Sequence, residues 1–146
     1  MSTVTFDAVK KAVLEAGFEV FRAKDDTIQL AERVRSHLMD ANVVVRVAGN
    51  GEHVTVAFVV RSQRSDFPSE GSDELFGKVR RAVGDKASQL GFVESAANSR
   101  QIHDPVDAAR VLDVWHELTF SKSTSDLHAL VADVQCALDM PKCVGA

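Results

Sequence analysis

Two apolar runs a few residues apart limit what this chain can become. Val43 to Ala48 and His53 to Gln63 are rich in valine, and Gly49-Asn50-Gly51-Glu52 between them supplies the glycines that a tight turn needs. The pair reads as a β-hairpin. Its second strand carries Val54, Val56, Phe58 and Val60 at one parity and Ala57 and Val59 at the other. A sheet apolar on both faces needs cover on both, from helices or from a second subunit.

The flanking segments read as helices and further strands. Thr5 is placed to cap a helix with Phe6, Val9, Val13 and Ala16 on one stripe, and Gly17 then ends it. Phe18 to Arg22 reads as a short strand. Asp25, Asp26 or Thr27 then caps a second predicted helix, in which Ile28, Ala31, Val34, Leu38 and Ala41 recur at helical spacing up to Asn42. Past the hairpin, Ser72 with Asp73 and Glu74 opens another helix, with Phe76, Val79, Val83 and Leu90 as its core stripe and Gly91 as its stop.

Phe92 begins a strand that weakens through Ser95 to His103, and the stretch Asp104 to Arg110 reads as a turn or short helix. Leu112 to Phe120 is a strong strand. Ser123 and Asp126 form a possible capping pair for a last helix through Leu127, Leu130, Val131, Val134 and Leu138, stopped by Pro141. The expected order is α-β-α-β-β-α-β-β-α. This is an α+β fold with an antiparallel sheet, a ferredoxin-like β-α-β-β-α-β core and added N- and C-terminal helices. A single domain over residues 1–146 is expected.

Composition narrows the class. With 45% hydrophobic and 26% charged residues the 146-residue chain has the profile of a globular protein rather than a disordered one. No apolar run approaches the roughly 20 residues that span a bilayer, and no signal-peptide pattern opens the chain, so a cytoplasmic protein without a membrane partner is expected. The formal net charge of -4 disfavours binding to nucleic acid through the overall field. Cys136 and Cys143 have neither Cys-x-x-Cys pairing nor a histidine at ligand spacing, so no metal and no cofactor is expected.

Four places carry candidate chemistry. His53-Val54-Thr55 resembles one half of the two-histidine phosphoesterase pattern, in which His-x-Ser/Thr motifs on two strands hold one phosphate. The nearest second motif is imperfect, because His116 and Thr119 are three residues apart and point to opposite faces of a strand. His116 shares its parity with Leu112, Val114, Leu118 and Phe120, which reads as a hydrogen-bonded core histidine.

Arg61 and Gln63 share one strand face, with Arg64 on the other and Asp66 where the strand leaves the sheet. This is an arrangement for an anion or for an internal ion pair. Lys78, Arg80 and Arg81 extend a basic strip, but the chain has no Tyr with which to stack bases. Trp115 alternates with Asp113, Glu117 and Thr119 on the more polar side of its strand, where a lone large aromatic suits an interface anchor.

No Ser-His-Asp spacing, Walker loop, dinucleotide glycine pattern or HExxH motif is present. The reading is a non-enzymatic protein-protein interaction module of the adaptor, chaperone or inhibitor type. It would bind a protein partner or self-associate as a homodimer through a sheet face or a terminal helix, with Arg61, Arg64, Asp66 and Trp115 as the candidate binding residues. The alternatives are an anion-binding or phosphoesterase-like protein using His53, Thr55 and Arg61, and a nucleic-acid binder using a local basic patch.

Overall fold

A computed structural model describes residues 5–48, 51–63, 72–140 and 143–144. The elements, in chain order, are α1 (Phe6–Glu15), β1 (Glu19–Lys24), β2 (Thr27–Val34), β3 (His37–Val47), β4 (Val54–Gln63), α2 (Ser72–Gln89), β5 (Val93–His103), β6 (Val111–Thr124), α3 (Leu127–Asp139) and β7 (Cys143–Val144). The fold is α+β, and the strands run in the order β1-β2-β3-β4-β6-β5 as an antiparallel, mostly meandering sheet, with β7 pairing in parallel with β4.

The chain forms two compact units. One comprises residues up to Phe58 together with Ser121–Met140, and the other comprises Val59–Phe120 with the residues after Met140.

In the first unit α1 starts as its sequence requires: the Thr5 hydroxyl accepts from the Ala8 amide, and Gly17, with φ of 89°, follows its last turn. Val9 and Val13 face inward. α3 buries Leu130, Val134 and Ala137. Asp126 caps it by accepting from the His128 amide, whereas Ser123, expected in the cap, is still part of β6.

The core of this unit is closed by one face of β2 to β4. Ile28, Leu30, Val43, Val45, Val54, Val56 and Phe58 are all buried, with Val43 opposite Phe58 and Val45 opposite Val56. Each such side chain contributes about 1.5–3 kcal/mol by leaving water.

The expected second helix is not formed. Residues 27–42 are β2, a two-residue turn and most of β3, so the ferredoxin-like alternation gives way to four consecutive strands. The reason is a register shift between Gln29 and Ala31, where β3 carries extra residues around Asn42, whose φ is 58°. Leu30 and Ala31, neighbours in sequence, are both buried there. That break turns a period of two into the spacing of three to four that reads as a helix. Val34 and Leu38, expected in a helical core stripe, are 48% and 40% exposed near the hairpin tip. Asp25 and Asp26, expected as helix caps, form the turn between Lys24 and Thr27.

In the second unit α2 carries Val79, Val83 and Ala87 inward and ends before Gly91, whose φ of 87° lets the chain turn into β5. β5 persists over its whole polar length to His103. Asp104 to Arg110 is a turn without helix, closed by the Asp104 amide donating to the Arg110 carbonyl. β6 alternates strictly, with Val114, His116, Leu118 and Phe120 buried and Asp113, Trp115, Glu117 and Thr119 half-buried.

Candidate functional site

β6 sorts its side chains in the second unit by parity. On the helix side, His116 is 3% exposed, its ring is stacked on Phe76 of α2 with centroids 4.7 Å apart, and its Nδ1 lies 2.7 Å from the Ser99 hydroxyl of β5. One residue on, Glu117 points the other way and accepts from Arg61 Nε of β4 at 3.1 Å. Phe76 in turn lies under the Arg80 guanidinium, 5.3 Å from its centroid.

The face opposite α2 carries Trp115. Its indole N–H donates to Asp113 Oδ2 at 3.2 Å, and the Arg100 guanidinium of β5 stands 5.9 Å from the ring centroid. The Arg61–Glu117 pair belongs to the same face, since Glu117 and Trp115 are two residues apart on one strand. Trp115 is thus an aromatic ring with a carboxylate on its edge, a cation at its face and a polar pair beside it. No helix is long and apolar enough to cross a membrane, and no group of three or more His, Cys, Asp or Glu is placed to hold a metal, among the described residues.

The other predicted site residues are distributed as follows. Thr55 faces away from the core between buried Val54 and Val56, and its hydroxyl lies 3.0 Å from that of Ser123. His53 is exposed just before β4. It stands in the open while His116 stands in a core, so the two histidines meet different surroundings. Arg64 and Asp66 lie outside the described residues, as does the segment that would hold them. Of the basic strip, Arg80 makes two hydrogen bonds to the Glu94 carboxylate, one of them 2.7 Å from Nε. That contact holds the Glu94 carboxyl below its ordinary range and raises Arg80. Arg61 and Arg80 are thus both engaged with carboxylates.

Sequence reasoning passed over Arg100, Ser99 and Glu94, which lie on a strand whose hydrophobic pattern is weak. Their partners are supplied by other elements: β6 places Trp115 and His116 beside Arg100 and Ser99, and α2 places Arg80 beside Glu94. Compared with protein-family models, with curated proteins and with solved structures, the chain matches none.

Proposed function

We propose that this chain is a non-catalytic protein-interaction module, and that the Trp115 face of its second unit receives a protein surface, either of another protein or of a second copy. The observation that carries the reading is the setting of Trp115. A large aromatic stands on the strand face away from the helix, its N–H engaged by Asp113 and its ring beside the Arg100 guanidinium, so it is already oriented to be covered. The Arg61–Glu117 pair adds a polar border of both signs.

Among the described residues nearby, Arg61 pairs with Glu117 and the Trp115 N–H with Asp113, contacts that support a binding face.

The test compares wild type with Trp115→Ala and with the rim variant Arg100→Glu, using affinity capture of partners and the sedimentation coefficient for self-association. Circular dichroism and melting serve as folding controls. Loss of capture or of self-association in both folded variants is the expected result. A folded Trp115→Ala protein that retains every interaction would remove the reading.

A further inference from the structure

The outer face of the first unit carries a row of polar side chains that no strand makes alone. Strand register sets Lys24 of β1 opposite Thr27 of β2, Thr27 opposite Arg46 of β3, and Arg46 opposite Thr55 of β4. The Thr55 hydroxyl then meets Ser123 of β6 at 3.0 Å. Directly opposed residues share a face. That face is the outer one, because Arg46 alternates with buried Val45 and Val47 and Thr55 with buried Val54 and Val56. Five neighbouring strands thus contribute one residue each, over roughly 19 Å at about 4.8 Å per strand.

The centre of the row is ordered for an anion. Arg46 is exposed, and its Nε makes a long hydrogen bond, 3.4 Å, to the Thr27 hydroxyl, which itself donates to Asp26 Oδ1 at 2.9 Å. Thr27 therefore steadies the guanidinium by its base, and the two terminal nitrogens of Arg46 have no partner among the described residues. Those nitrogens form the fork that matches two oxygens of one anion. Of the two hydroxyls shared by Thr55 and Ser123, one hydrogen is used between them and the other remains to be donated. Lys24, at the end of the row, adds a second cation. Asp25 and Asp26 lie in the adjoining turn, and the Asp26 carboxylate is turned to Thr27.

We propose that this row is a binding site for the phosphoryl group of a small soluble molecule, with Arg46 as the bidentate donor and Thr55 or Ser123 as the third contact. A phosphoryl group has three terminal oxygens and can use a fork and a hydroxyl together, whereas a carboxylate has only two. The site shares no residue with the Trp115 face, although Ser123 lies on β6 and Thr55 on β4, and it stands or falls separately from the protein-binding reading.

The experiment is a titration of the ¹⁵N-labelled full chain with inorganic phosphate and, separately, glycerol 3-phosphate, against sodium chloride at matched ionic strength. The expected result is amide shifts confined to Lys24, Thr27, Arg46, Thr55, Ser123 and their neighbours, saturating with a Kd on the order of 1 mM. Arg46→Gln weakens binding about tenfold and Thr55→Val by a smaller factor, both without change in melting temperature. Trp115→Ala binds as wild type does. Shifts that do not saturate, that sodium chloride reproduces, or that persist unchanged in folded Arg46→Gln overturn the proposal.

Discussion

The ring of His116 lies against the ring of Phe76, planes inclined by 23° and centroids 4.7 Å apart. A histidine is thereby accommodated on a core face that valine, leucine and phenylalanine otherwise occupy, with Ser99 satisfying Nδ1. Phe76→Ala removes the stack and the ring under Arg80. Because Phe76 is only half-buried, the expected loss is about 2 kcal/mol, below the roughly 3–5 kcal/mol of a fully buried Phe. Urea unfolding of the variant measures it.

The contact between Arg80 and Glu94 makes a prediction in pH. The folded-state pKa of Glu94 is lowered, chiefly by the hydrogen bond from Arg80, so its contribution is present above the ordinary glutamate value of 4.5 and fades as pH falls through the folded-state value. An NMR titration of the Glu94 carboxyl should show a midpoint below the ordinary value, returning toward it in Arg80→Gln. An unperturbed midpoint in wild type would refute the pairing in solution.

Arg35 and Ser36 turn β2 into β3 with φ of 51° and 73°, both left-handed. Non-glycine residues pay a steric penalty there, and two-residue hairpin turns of this hand favour Asn-Gly. Ser36→Gly is expected to stabilise the protein by about 0.5–1 kcal/mol. A helix through this segment would make the same change destabilising by about 1 kcal/mol, so thermal melting of one variant distinguishes the two structures.

Lys122 of β6 reaches Asp133 of α3 at 2.8 Å, and Asp133 is 6% exposed, its Oδ2 without a partner among the described residues. Removing the cation leaves a buried carboxylate uncompensated. Lys122→Met is expected to cost about 2–3 kcal/mol, and the double variant Lys122→Met with Asp133→Leu less than that. Chemical denaturation of the two proteins gives the comparison.

Sequence alone determined much of this protein. Thr5 and Gly17 bound α1, the valine runs pair as β3 and β4, Gly91 marks the passage from α2 to β5, and parity along β6 turns His116 inward and Trp115 outward. All of these rest on interactions within a few residues, where steric limits and periodicity act directly.

Tertiary structure decided the segment 27–42. Its apolar spacing satisfies a helix locally, but the register with β1 and β3, and the shift near Ala31, make it strand. It also decided which polar groups meet. Arg46 and Thr27 are nineteen residues apart, and Thr55 and Ser123 sixty-eight. Strand pairing between distant segments sets those neighbours, and a local pattern carries no record of it.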